Sequence, residues 1–231
     1  MRVPCLVLSL ALIAAAQRST PVILTSDDIH QPYHDAPPQG VSSDRRWLGL
    51  FLRDTGGEQG PVASQLQRTT IKLVSHANRP VHNIVATPST PVLLLSGVPR
   101  LTPGPAITVS QHGDLRNQLQ LRYALGTAMY ELRLETIAPD LCDAVVVLRS
   151  GKRSQRLFDM RRPSRADAQL ICDDPLFMVH WAGDLDRDGR LDLVATFSRK
   201  YTVHPRLLFL SSAARRGEVV AQAARYDGIG N

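Results

Sequence analysis

Gly183-Asp184-Leu185-Asp186-Arg187-Asp188-Gly189-Arg190-Leu191-Asp192-Leu193-Val194-Ala195-Thr196-Phe197-Ser198 is the stretch whose reading decides the fold. Three aspartates stand at alternate positions, a glycine follows, and Asp192 comes three residues after it. Alternate side chains of a tight loop point inward, so Asp184, Asp186 and Asp188 each offer a carboxylate to a hard cation. Calcium is such a cation and takes roughly six to eight oxygen ligands. Gly189 permits the sharp turn that a residue with a Cβ resists. The carbonyl of Arg190 and the carboxylate of Asp192 complete the expected shell. The spacing matches the first half of an EF-hand loop, but Ala195 stands where an EF-hand places its bidentate glutamate. After the loop, Leu193, Ala195 and Phe197 alternate with Asp192, Thr196 and Ser198, the period of a strand. The loop therefore leads into a β-strand, not a helix. A polar turn without a metal is the alternative. Crowded carboxylates repel one another, and Arg187 and Arg190 offset little of that, which favours a cation.

The rest of the chain carries the same character. Trp47–Arg53, Thr69–Ser75, Val81–Ala86, Val92–Leu95 and Ala106–Val109 are strand candidates. Leu119–Tyr123 and Met129–Leu134 alternate about Gly126, and Ala144–Leu148 and Gln155–Phe158 flank Ser150-Gly151-Lys152, so each pair forms a hairpin. Phe177–Trp181 enters the aspartate loop, Leu191–Phe197 leaves it, and Leu207–Leu210 and Val219–Ala223 complete the set. Ser212–Arg225 is the best helix candidate. Short strands punctuated by Gly and Pro predict an all-β sandwich or barrel-like domain of antiparallel strands, with one calcium-loop hairpin. No blade-length repeat is visible, which argues against a full propeller.

Trp181 to Val194 resembles the calcium-loop signature of the FG-GAP and VCBS repeats of integrin-type β-propellers. Those repeats come in series, whereas this chain has one. It is more similar to a group of uncharacterised secreted bacterial proteins with a single such loop. In that group a segment like Pro91-Val92-Leu93-Leu94-Leu95-Ser96-Gly97 precedes the loop and one like Leu208-Phe209-Leu210-Ser211-Ser212 follows it. The resemblance covers roughly residues 47 to 229 and brings no activity with it.

Upstream, Met1-Arg2 is a short basic head, and Val3–Ala16 is almost wholly apolar and ends in Ala14-Ala15-Ala16. This is the pattern of a secretory signal peptide over residues 1–16, cut before Gln17, and implies a periplasmic or extracellular protein. An uncleaved anchor is the alternative, although the run is short for a membrane span. No later stretch is apolar enough for one. Residues 17–45, with Pro32, Pro37, Pro38 and Gly40, are expected to form a flexible leader. Within it, His30, His34 and the nearby aspartates are a weak transition-metal candidate, because Pro32 opposes the helix that would align the histidines. The β-domain is expected over 46–231.

Of the three cysteines in the chain, Cys142 and Cys172 remain after cleavage. In an oxidising compartment an even pair is expected to bridge, with two free thiols as the alternative. The net charge is +6, and +5 once Arg2 is lost with the leader, too modest to point to nucleic acid. The basic run Arg149, Lys152, Arg153, Arg156, Arg161, Arg162 and Arg165 would suit an anionic envelope component or a polysaccharide. A solvated hairpin tip is the plainer reading. The chain carries no Gly-x-Ser-x-Gly elbow, zinc-binding His-Glu-x-x-His or phosphate-binding glycine loop. His180 and the pairs Glu131/Glu135 and Asp173/Asp174 are the remaining acid–base candidates. Two functions are thus expected from the sequence: a noncatalytic exported calcium-binding β-domain, or an exported hydrolase whose site is assembled from distant residues around a structural or assisting metal.

Overall fold

The computed structural model describes residues 20–34, 36–53, 61–76, 79–137, 141–162 and 171–228. The expected signal peptide over residues 1–16 lies outside them. The first elements are β1 (Val22–Thr25), α1 (Ser26–His30) and β2 (Tyr33–His34). Next come β3 (Trp47–Leu52), β4 (Val62–His76), β5 (Arg79–Thr87), β6 (Leu93–Ser96), β7 (Gly104–Ser110), β8 (Gly113–Asp114) and α2 (Leu115–Gln118). Then follow β9 (Gln120–Leu125), β10 (Ala128–Glu135), β11 (Val145–Ser150) and β12 (Arg153–Asp159). The set is completed by β13 (Leu176–Asp184), β14 (Asp192–Ser198), β15 (Arg206–Leu210) and β16 (Ala221–Tyr226).

The fold is all-β. A large antiparallel sheet runs β1-β6-β3-β4-β7-β13-β14-β15-β16, with β5, β2 and β8 paired alongside. β1, at one end of that order, lies against β15 and β16 at the other, so the sheet is nearly closed into a barrel. β12-β11-β10-β9 form a second, small antiparallel sheet. Both expected hairpins are present: β9–β10 turns at Gly126 and β11–β12 at Gly151, each in the left-handed backbone region.

The strands β13, β14 and β15 of the large sheet lie between two cores, and this explains their sequences. Trp181, Val194, Leu208 and Leu210 point into the core of the large sheet, with Ile23, Leu50, Leu66 and Leu94. Their neighbours Val179, Leu193, Ala195, Phe197, Leu207 and Phe209 point the other way, into a second core beneath Leu121, Leu132, Val146 and Leu148 of the small sheet. A strand buried on both faces loses its polar alternation, and every residue of β14 and of β15 is buried. Each fully buried large side chain contributes about 1.5–3 kcal/mol relative to exposure.

Two expectations are corrected. Residues 20–34 and 36–45 are not a flexible leader: Val22, Ile23 and Leu24 are fully buried and β1 pairs with β6. The apolar Val-Ile-Leu-Thr run outweighs the proline-rich composition around it, because β6 and the barrel core offer it both hydrogen bonds and burial. Ser212–Arg225 is not a helix. Gly217 breaks it in the left-handed region, and from Ala221 the chain extends along β15 as β16. The Val219–Ala223 strand expectation is the one that holds there, shifted two residues onward.

Cys142 and Cys172 lie at disulfide distance, with Sγ–Sγ 1.92 Å and Cα–Cα 5.9 Å. They tie the start of β11 to the segment that enters β13. No helix of the described residues is long and apolar enough to cross a membrane.

Candidate metal centre

β13 ends at Asp184 and β14 begins at Asp192, with Gly183 opposite Asp192 in the pairing. The loop between them is pinned on both sides of the shared strands: Leu185 is buried in the barrel core and Leu191 in the core between the sheets. Alternation does the rest, because inserting Leu185 inward turns its neighbours Asp184 and Asp186 to the loop's own concave side.

Carboxylate oxygens of Asp184, Asp186 and Asp188 all lie within 4.8 Å of one another. Asp184 organises the turn: its Oδ1 accepts the N–H groups of Arg187 (2.8 Å) and Asp188 (3.2 Å), and its Oδ2 accepts that of Gly189 (3.0 Å). Gly189 has φ +74°, the left-handed region that glycine enters without steric cost. Asp188 accepts the Arg190 N–H (3.0 Å), the Arg190 guanidinium (2.6 Å) and the Ser211 hydroxyl (2.7 Å). Asp186 Oδ2 accepts the Ser212 hydroxyl. Its other oxygen, Oδ1, is buried and has no hydrogen-bond partner.

Asp192 stands outside the group of three. It is fully buried, and its two oxygens accept the N–H groups of Leu185 and Ser211, each at 2.8 Å. Burial pushes its carboxyl up to about 8, with the charges of Asp186 and Asp188 adding to the rise. Asp184 is raised too, by burial first and then by Asp188 and Asp186, against the lowering effect of its backbone hydrogen bonds. Arg190 is brought to the cluster by its side chain as well, through the ion pair to Asp188. Arg187 is not: its backbone belongs to the loop, in the left-handed region at φ +71°, but its guanidinium reaches away to Thr102 Oγ1 (2.6 Å) and the Pro103 carbonyl (3.0 Å). It lies over Gly104, where a Cβ would sit 1.7 Å from Arg187 Nη1.

The donor set is all oxygen, which suits calcium or magnesium and not a soft transition metal. The unpaired Asp186 Oδ1, held among two further carboxylates, is the atom a cation would satisfy. An Asp184-Asp186-Asp188 cluster that could hold a metal ion is therefore present.

Ser211, Ser212 and the Arg190 side chain are the parts that sequence reasoning missed. The serines look like ordinary turn residues at the end of β15, and only strand pairing brings them against aspartates 23 and 26 residues away.

The other candidates have other work. His180 is on β13, partly covered, with Nε2 2.9 Å from Thr196 Oγ1. Burial first, and then the Arg206 charge, hold its imidazole down at about 3. Asp174 pairs with Arg116, and Asp173 bridges the backbone at Lys200. Glu131 pairs with Arg122 and Arg133, and Glu135 with Arg149. In the basic run, Arg156 and Arg161 both pair with Asp159, and Arg153 donates to the Glu218 carbonyl, so much of its charge is already engaged. Arg165 lies outside the described residues. His30 bonds its own helix at Ser26, while His34 pairs on β2, and Asp28 is committed to Arg206. Asp35 is outside the described residues.

Comparison of the chain with protein-family models, with curated proteins and with solved structures finds no match, and the candidate centre stands on its own geometry.

Proposed function

We infer that the protein is an exported β-domain stabilised by calcium, with a binding or envelope-structural role rather than a catalytic one. The observation that carries this reading is the buried, unpartnered Asp186 Oδ1 within a group of three clustered aspartates. Asp184, Asp186 and Asp188 would hold the ion, with the Arg190 carbonyl and Asp192 completing the shell. A bound calcium supplies two positive charges where three carboxylates crowd together. The likeness of the loop to the FG-GAP and VCBS signature supports the choice of calcium. The Cys142–Cys172 pair suits an oxidising compartment, as does the apolar segment that precedes Gln17. A noncatalytic role is supported by the acid–base candidates, since His180, Glu131, Glu135 and Asp174 are each spent on a structural partner.

Calorimetric titration tests the metal. Calcium should bind with a dissociation constant of roughly 10⁻⁴ to 10⁻³ M, and magnesium more weakly. No heat of binding at millimolar calcium would overturn the reading. N-terminal sequencing of the mature protein checks export, and retention of Val3–Ala16 would count against it.

A further inference from the structure

A second feature lies away from the metal loop. Where β3 begins and β6 ends, residues of the segment from Gly97 to Pro103 help line a cavity of about 520 Å³. That size falls within the roughly 300–1,000 Å³ range of small-molecule sites. Trp47, Leu48, Leu95, Val98 and Leu101 give it an apolar lining, and Trp47 and Leu95 are fixed in the barrel core.

Three arginines border the same cavity, and their situations differ. Arg45 is spent: it donates to Ser96 Oγ (2.9 Å) and to the carbonyls of Gly40 and Thr20, clamping β1 to β3. The side chains of Arg46 and Arg68 have neither a hydrogen bond nor an ion pair among the described residues. Other cationic side chains, Lys72, Lys152, Arg215 and Arg216 among them, also lack a side-chain partner among the described residues, but they do not line this cavity. What sets Arg46 and Arg68 apart is that both border this apolar-lined cavity. A guanidinium offers a planar fork that matches a carboxylate. The lining offers burial to a hydrocarbon, and of its hydroxyls those of Thr69, Ser96 and Thr102 are already engaged within the protein.

We propose that this cavity is a binding site for an amphipathic monoanion, a carboxylate carried on an apolar tail, with Arg46 and Arg68 holding the head group and Leu48, Val98 and Leu101 covering the tail. The proposal stands on the cavity alone and does not require the metal.

The test is titration of the full mature chain with dodecanoate below its micellar concentration, followed by calorimetry and by tryptophan emission. Dodecanoate should bind and shift the emission, because Trp47 lies in the lining; Trp47→Phe should remove the shift while Trp181 still emits. Dodecanol, which keeps the tail without the charge, should bind at least tenfold more weakly. Arg46→Gln/Arg68→Gln should weaken dodecanoate at least tenfold without affecting dodecanol. Both arginines are exposed, so the double variant should keep its melting temperature. Val98→Asp, which places a charge in the lining that covers the tail, should weaken dodecanoate and dodecanol alike. Equal binding of dodecanol and dodecanoate, or unchanged dodecanoate affinity in the double variant, would overturn the proposal.

Discussion

Asp28 and Arg206 are 178 residues apart in sequence and joined by two hydrogen bonds, Nε to Oδ2 at 2.8 Å and Nη2 to Oδ1 at 2.5 Å. Both side chains are buried, at 1% and 6% exposure. Asp28 also accepts the N–H and hydroxyl of Thr25, and Arg206 reaches Thr196 Oγ1, which His180 contacts from β13. The network stands where β1 meets β15, so it fastens the seam between the two ends of the large sheet's main path.

Removing one partner leaves a buried charge alone, which costs on the order of 3–5 kcal/mol. Arg206→Met should therefore lower the melting temperature by roughly 10 °C, at a few degrees per kcal/mol for a domain of this size. Asp28→Leu combined with Arg206→Met should recover much of the loss, because no unpaired charge remains. Thermal unfolding of the two variants side by side checks this; equal instability of the single and double variants would show that the charge is not the cause.

Acid should remove two contributions to stability in turn, one from His180 and one from Asp28. His180 is held neutral to about pH 3 by burial and by Arg206, with Asp28 opposing and His112 and His204 adding slightly. The unfolded chain takes up that proton near pH 6.5, so the His180 contribution starts to fall there and declines by about 2 kcal/mol by pH 5, while the raised Asp192 carboxyl acts in the opposite sense. Asp28 acts lower. Burial alone would raise its carboxyl, but the hydrogen bonds and charge of Arg206, with Thr25, outweigh that and hold it below the usual range. Its contribution is present above the ordinary carboxylate pKa and is lost as pH falls through the lowered one. His180→Gln should flatten the upper stage and leave the lower one, read from denaturant midpoints between pH 7 and 3.

Calcium at ten times its dissociation constant should add about 1.4 kcal/mol of stability, from RT ln(1 + [L]/Kd), and raise the melting temperature by a few degrees. Asp188→Ala should abolish the response and melt near the chelated wild type, since one fewer carboxylate relieves the empty loop. Ser211→Ala, which removes the hydroxyl that orients Asp188, should weaken calcium by roughly tenfold while leaving the fold intact. Melting curves in calcium, in magnesium and in chelator read all three. An identical wild-type curve in calcium and in chelator would contradict the prediction.

The Cys142–Cys172 bridge closes a loop with a sequence separation of 30 residues, for which chain entropy gives about 3–4 kcal/mol. Reduction, or Cys142→Ala/Cys172→Ala, should lower stability by that order. Non-reducing peptide mapping of protein taken from its native compartment should recover the linked pair, and two alkylated thiols would exclude it.

What was legible in the sequence was local. The β9–β10 and β11–β12 hairpins follow from alternation across Gly126 and Gly151, and the aspartate loop from spacing alone. The long-range partners were not legible. Nothing near Asp28 announces Arg206, and Ser211 and Ser212 gain their meaning only when β14 pairs with β15. β1 was missed for a related reason. Three apolar residues among prolines are too few to outvote the composition of a window, yet they are enough to fill an open edge once β6 stands beside it.

Arg187 has a last consequence. Its backbone N–H is part of the turn around Asp184, and its guanidinium grips Thr102 and Pro103 on the lip of the arginine-lined cavity. Two ligands whose sites share one strut form a thermodynamic cycle, and any help between them is mutual: the factor by which calcium tightens dodecanoate must equal the factor by which dodecanoate tightens calcium. Gly104 is where that cycle can be cut. An alanine there would push the guanidinium off the lip and leave the carboxylates and the two free arginines untouched, so that each ligand binds as though the other were absent.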